Sequence, residues 1–154
     1  MTVLDTAFTL PCGISIPNRL CKAAMTEGLA EPGGRAGARI ARVYRLWSQG
    51  GAGLILTGNI MVDRRYRERA ANIVVDGAQD AAAMAGLRAY AEACKTGGSV
   101  AIAQISHAGR QSPKALAPEP VGPSAVPVKL PGGLFGAPRA LAPDEIEDVI
   151  ARFA

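Results

Sequence analysis

The chain has 154 residues, which suits one domain and is too short for two. Hydrophobic residues make up 49% and charged residues 19%, a globular balance that excludes disorder, and the net charge is +4 with an isoelectric point near 9.3. A basic chain raises nucleic acid as a partner, but the one dense cluster is Arg64, Arg65, Arg67 and Arg69, interrupted by Glu68, and no Lys/Arg stripe interleaves with aromatics.

A solvated face is the simplest reading of that cluster; a patch drawing in an anionic cofactor or substrate is another. The three cysteines, Cys12, Cys21 and Cys94, are odd in number and match no zinc spacing, so reduced thiols and no metal site are expected. Met1 to Leu10 holds Asp5, no basic residue and no long apolar run, unlike a signal peptide. Apolar runs such as Val100 to Ala103 are far too short to span a bilayer. A cytoplasmic protein with no membrane and no nucleic-acid partner is expected.

In chain order, Phe8-Thr9-Leu10 and Ile14-Ser15-Ile16 flank Pro11-Cys12-Gly13 and predict a small hairpin. Leu20 to Met25 reads as a short strand. Thr26 to Gly37, centred on Pro32-Gly33-Gly34, reads as loop. Ile40, Val43, Tyr44 and Trp47 fall at i, i+3, i+4, i+7 and predict a helix over 38–49, stopped by Gly50-Gly51. Leu54-Ile55-Leu56 then fits a strand buried on both faces.

Asn59 to Asp76 is a long connection with a second apolar piece, Ile73-Val74-Val75. A second helix is predicted over 79–95, with Met84, Leu87, Ala91 and Cys94 on one side, followed by a buried strand over 100–105. The Pro-rich stretch 113–143 promises little regular structure. Ile146, Val149, Ile150 and Phe153 predict a last helix, with Pro143 at its first position and Asp144-Glu145 in its first turn. Ala142 is a poor cap for it.

Alternating strands and helices predict an α/β fold with a parallel sheet. The doubly wound version announces itself with a glycine fingerprint, and Ala23-Ala24-Met25-Thr26-Glu27-Gly28 has none. In a barrel, chemistry would sit just after each strand, at Met25-Thr26, Thr57-Gly58-Asn59 and Gln104 to Arg110.

Those positions carry a resemblance. Asn18-Arg19-Leu20 leading to Ala24-Met25-Thr26, then Gly50 through Asn59, then Gln104-Ile105-Ser106-His107-Ala108-Gly109-Arg110, then Pro123 to Pro127, resemble in order and spacing the opening strands of the Old Yellow Enzyme family of NADH:flavin oxidoreductases. The resemblance spans essentially the whole chain. It implies a (β/α)8 TIM barrel, with residues 1–154 as the N-terminal portion of one FMN-binding domain: the hairpin and the first three strand-helix units. It implies FMN as cofactor, NAD(P)H as reductant and a small-molecule electron acceptor such as an activated C=C.

Residue by residue, the resemblance implies that Ala24 and Met25 approach the flavin through their backbone. Thr26 would hydrogen-bond its O4 edge, Asn59 would hold the second-strand contact, and Gln104 would bond the pyrimidine ring. An amide offers both donor and acceptor to such an edge, and a hydroxyl does so on a smaller scale. Two positions depart from the family pattern: Ala24 stands where Pro is common, and Gly58 where Glu is frequent.

The family's fourth-strand His/Asn pair, its proton-delivering Tyr and its phosphate-binding loops have no counterpart here, so no catalytic residue is assigned. The 154 residues alone are expected not to turn over. A non-catalytic remnant that works through a partner, or a homo-oligomer formed at unpaired strand edges, is the alternative.

Plainer readings stand beside these. His107 reads as structural, lacking a carboxylate close by in sequence. Arg110 serves either an anionic ligand or the Pro-rich loop. Gln104 would otherwise be a solvated strand end, and Thr26 a turn. Asp63, Arg64 and Arg65 read as exposed loop charge. Cys21, Met25 and Met61 read as packing.

Overall fold

The computed structural model describes residues 2–154; Met1, which opens the segment read above as carrying no leader, lies outside them. The predicted hairpin forms: β1 (Phe8–Thr9) pairs antiparallel with β2 (Ser15–Ile16), Phe8 facing Ile16. Gly13, at φ +88, closes the turn.

Three parallel strands follow: β3 (Cys21–Lys22), β4 (Leu54–Met61) and β6 (Val100–Ser106), ordered β3-β4-β6. A short β5 (Ile73–Val74) takes the β3 side of β4 further up, pairing Ile60 with Ile73. Helix α1 (Ala38–Gln49) joins β3 to β4, α2 (Ala81–Lys95) joins β4 to β6, and α3 (Pro143–Phe153) follows β6. These are the hairpin and the first three strand-helix units of a (β/α)8 barrel. The Pro-rich stretch contributes one short parallel pair, β7 (Val121–Gly122) with β8 (Arg139–Ala140).

Helix α1 forms over its predicted span. Its apolar stripe presents Ile40, Tyr44 and Trp47 to the sheet, and Gly50 and Gly51 end it by returning their N–H groups to Leu46 and Ser48. Helix α2 begins two residues later than predicted, because Asp80 caps it by accepting the Ala83 N–H at 2.8 Å. Its buried face is also different. Ala83, Tyr90, Ala93 and Cys94 point inward with Leu87 partly covered, whereas Met84 and Ala91 are exposed. Tyr90 fixes this rotation by packing edge-on against Tyr44, ring centroids 4.8 Å apart.

The core lies between α1, α2 and the outer face of β4. Ile40, Tyr44, Ile55, Ile73, Tyr90 and Cys94 make its centre. Burial pushes the Cys94 thiol up to about 11, the mark of an inert packed cysteine.

Three expectations fail. Strand β3 is cut to two residues, because the Lys22 ammonium takes the carbonyls of Ala23 and Leu56, each at 3.0 Å, where the ladder would continue. Strand β6 is not buried: Ile102 is 44% and Ile105 51% exposed, since β6 pairs on one side only, with β4. Cys21 is exposed rather than core, because Lys22 faces α1 and its neighbour on the pleat must face the uncovered side. No helix among the described residues is long and apolar enough to cross a membrane.

Candidate functional site

The upper ends of β3, β4 and β6 form one rim. Strand β4 reaches it through a bulge. Leu56 pairs with Ile102 and Asn59 with Gln104, so Thr57 and Gly58 together face the single residue Ala103. The Thr57 hydroxyl donates to the Gly58 carbonyl at 2.8 Å and accepts the Gln104 N–H at 2.9 Å, filling the gap that the extra residue opens. The extra residue places Asn59 directly beside Gln104; even pairing would have set Asn59 against Ile105. Gly58 is required by close approach: a Cβ there would collide with the Met25 carbonyl and sit 2.6 Å from a Glu27 carboxylate oxygen.

The five residues assigned from the sequence all lie on this rim, with unequal engagement. Ala24, Met25 and Gln104 are exposed, Met25 at 52%, so Met25 is not packing. Thr26 and Asn59 are half-buried and are joined by a third group. One oxygen of the Glu68 carboxylate accepts the Thr26 hydroxyl at 2.7 Å and the Asn59 amide at 2.5 Å. Asn59 thus links Gln104, its ladder partner, to Thr26.

Asn59 and Glu68 also line a hollow of about 500 Å³ with Arg69, His107, Gln111 and Phe135. That volume is within the range of small-molecule sites. Ala24, Met25, Thr26 and Gln104 border the rim without lining the hollow.

Beneath the rim, a buried polar group holds β3 and β4 together. Lys22 lies under Tyr44 and Trp47, with its ammonium 4.5 Å from the Trp47 ring and 3.7 Å from Glu27. The Tyr44 hydroxyl donates to Glu27 and accepts the Gly58 N–H at 2.8 Å. Burial, the largest influence, pulls the Lys22 ammonium below its ordinary value even with Glu27 beside it. Burial likewise raises the Tyr44 phenol, so it stays a proton donor. This group fixes the backbone on either side of the rim at Ala23 and at Gly58.

Asp63 corrects the reading of loop charge. It is 1% exposed and is clamped by the Arg65 guanidinium at 2.6 Å. Burial acts most strongly on its carboxyl and would raise it, but the Arg65 hydrogen bonds prevail and hold it below the usual carboxylate range. Arg64 and Arg65 are exposed as expected, and Arg64 is bidentate to Asp76. These pairs pin the loop that carries Glu68.

His107 accepts the Gly109 N–H on Nδ1, so its proton sits on Nε2, 3.8 Å from Asp63. The carboxylate neighbour that the sequence did not show is therefore supplied by another loop. Burial lowers the His107 imidazole and outweighs the opposing pull of Asp63, favouring the neutral ring, whose Nε2 has no hydrogen-bond partner. Arg110 donates to the Val126 carbonyl at 3.1 Å and so anchors the Pro-rich loop.

Sequence reasoning missed Glu68 at the rim and Glu27 and Tyr44 beneath it; it placed Thr57 at the strand end but not as half of a bulge. Thr57 carried the one usable signal, a Thr-Gly pair at the end of an apolar strand, which is a bulge signature.

Comparison with known proteins gives the family and the fold. A family model described as NADH:flavin oxidoreductase / NADH oxidase family covers residues 11–154. The NADH-dependent flavin oxidoreductase iliE of Neonectria sp. is 35% identical over 95% of this chain, and nadA of Aspergillus parasiticus 36% over 91%. The NADH:fumarate oxidoreductase of Klebsiella pneumoniae is 35% identical over 95%. The chain spans only 21%, 34% and 15% of these three relatives. Among solved structures, morphinone reductase in complex with tetrahydroNAD aligns over 99% of this chain and 44% of its own, with a TM-score of 0.77 and 27% identity. The Old Yellow Enzyme homologue from Zymomonas mobilis shares the fold, with a TM-score of 0.78, 22% identity, and coverage of 99% of this chain and 43% of its own.

Proposed function

This chain belongs to the NADH:flavin oxidoreductase / NADH oxidase family, and from that premise we propose that it forms the ring-holding third of an FMN-dependent NAD(P)H oxidoreductase acting on an activated C=C. The observation that carries the reading is the rim itself: a hydroxyl and two amides, Thr26, Asn59 and Gln104, gathered from three strand ends beside a hollow.

These residues fit the group. Gly58 lets β4 close on the Met25 carbonyl, which fixes the chain after β3 where Ala24 and Met25 would meet the ring. Ala24 and Met25 offer their backbone at one edge. Gln104, free of side-chain partners among the hydrogen bonds described, can donate to and accept from a pyrimidine edge. Bound FMN would supply hydride acceptance from NAD(P)H and hydride delivery to the acceptor. The chain's own part is to orient the ring, to exclude water along the β3–β4 side and to present fixed dipoles at the ring edge. Cofactor phosphate contacts, the substrate-gripping pair and a proton donor would come from the remaining barrel units of a longer protein.

The 154 residues alone are proposed to be inactive, because a ring held on one side keeps little of its burial. The test is the visible spectrum and NAD(P)H oxidation of the intact gene product. A colourless protein without flavin rejects the reading, and enone reduction by the isolated 154 residues rejects the claim of inactivity. A second reading is favoured by the exposed apolar side chains of β6 and α3, Ile102, Ile105, Ile150 and Phe153. On that reading the chain is a non-catalytic piece that associates with a partner, and a stable monomer in size-exclusion would count against it.

A further inference from the structure

Lys22 is a buried cation to which the flavin reading gives no part. Its side chain is 12% exposed and that of Glu27 9%. The Tyr44 and Trp47 rings cover the ammonium, their centroids 4.8 Å and 4.5 Å away. A buried ion pair adds little stability over an apolar filling of the same space. What an apolar filling would lack is directed bonds.

An ammonium has three protons to donate. Lys22 directs them to the carbonyls of Ala23 and Leu56, each at 3.0 Å, and to the Tyr44 hydroxyl at 3.3 Å. Leu56 lies one residue beyond the last rung between β3 and β4, where Lys22 faces Ile55. The cation thus ties the two strands at the level where their ladder has ended. Tyr44 completes the set, its hydroxyl donating to Glu27 and accepting the Gly58 N–H.

Three residues are clamped in this way: Ala23 by its carbonyl, Glu27 by its carboxylate and Gly58 by its N–H. Each is the immediate chain neighbour of a residue assigned to the ring, namely Ala24, Thr26 and Asn59. Those three come from two strand ends, and no rung between β3 and β4 remains at their height to set the distance.

Resting on the flavin reading above, we infer that Lys22, acting with Glu27 and Tyr44, is a positioning residue: from behind the rim it sets the spacing of β3 and β4 at which Ala24, Thr26 and Asn59 meet one flavin ring together. It touches neither cofactor nor substrate; it acts through the Ala23 and Leu56 carbonyls and, by way of Tyr44, through Gly58.

The experiment measures three things in the intact gene product: FMN affinity, the visible circular dichroism of the bound flavin, and the melting temperature of the flavin-free protein. It compares wild type, Lys22→Met, Tyr44→Phe and the double variant Lys22→Met/Glu27→Gln. Lys22→Met leaves the Glu27 carboxylate buried without its cation, so its melting temperature should fall. Its FMN affinity should fall about tenfold, the loss of roughly one good hydrogen bond to the ring. The double variant removes the stranded charge and should regain most of the melting temperature. Its FMN affinity should stay weak and its flavin dichroism altered, because nothing then holds the two carbonyls. Tyr44→Phe should weaken FMN binding by a smaller factor, since Lys22 keeps its hold.

Affinity and dichroism that recover together with the melting temperature in the double variant would overturn the inference, leaving Lys22 a packing residue. Wild-type FMN affinity in Lys22→Met would overturn it as well. Should Lys22→Met not fold, the double variant and Tyr44→Phe carry the same test, and wild-type affinity in both rejects the inference. Failure of the wild type to hold FMN would instead bring down the flavin reading beneath it, a result visible before any variant is made.

Discussion

Helices α1 and α3 carry the same kind of apolar stripe, yet one is sealed and the other open. On α1, Ile40 and Tyr44 are essentially inaccessible; on α3, Ile150 is 57% and Phe153 44% exposed. The difference lies in their neighbours. Helix α1 has α2 beside it and two strands beneath, with Tyr44 packed edge-on against Tyr90 and reaching Gly58. Helix α3 meets the rest through ions, Arg152 and Asp148 reaching Asp63 and Arg65. A stripe records which face a helix can bury; burial itself needs elements on both flanks.

The sharpest test of that contrast pairs two isoleucines. Ile55→Ala should cost about 4 kcal/mol in urea unfolding, as a well-packed core truncation does, while Ile150→Ala should stay within about 0.5 kcal/mol. Comparable losses at both sites would erase the distinction. Next in size, Tyr44→Phe should cost about 2 kcal/mol, because the Gly58 N–H and the Glu27 carboxylate lose a partner in a buried setting.

Acid should reach the open side through His107 and Asp63. The His107 imidazole lies below its ordinary 6.5, so the unfolded chain takes a proton that the folded chain resists, and stability falls as pH drops through 6.5. Asp63 lies below its ordinary 3.8; its contribution is intact above that value and is lost as pH falls through the folded one. Urea midpoints from pH 8 to 3 should show both limbs. His107→Gln should flatten the upper limb and Asp63→Asn the lower, and a variant that keeps its limb would assign it elsewhere. The smallest effect on stability is expected from Ile105→Lys on β6, 51% exposed in the wild type. It should leave the melting point nearly unchanged and reduce self-association in sedimentation velocity.

The sequence made the sealed side legible for a physical reason. The Ile40–Tyr44–Trp47 period and the Leu54–Leu56 run between glycines depend on local spacing alone. The rim residues were legible by resemblance, and the structure brings Thr26, Asn59 and Gln104 to adjoining positions. What local spacing could not show were contacts closed over long loops. Glu68 sat inside an arginine cluster and read as surface charge. Asp63 read the same way until Arg65 and Arg152 were folded around it. The face of α2 was misjudged because Met84 outweighs Ala83 in hydrophobicity, whereas Tyr90 decides which side turns inward.

The Thr57–Gly58 bulge has a consequence for anyone who recombines this strand with another. Its two residues occupy one rung, so the reading frame of side chains changes phase there. Removing either residue would leave a regular ladder with Asn59 still opposite Gln104, whereas forcing strict alternation on all eight residues would turn every group after Gly58 toward the wrong compartment. Splicing at this point has to be counted from the neighbouring strand's rungs, because the letters on either side of the joint give no warning.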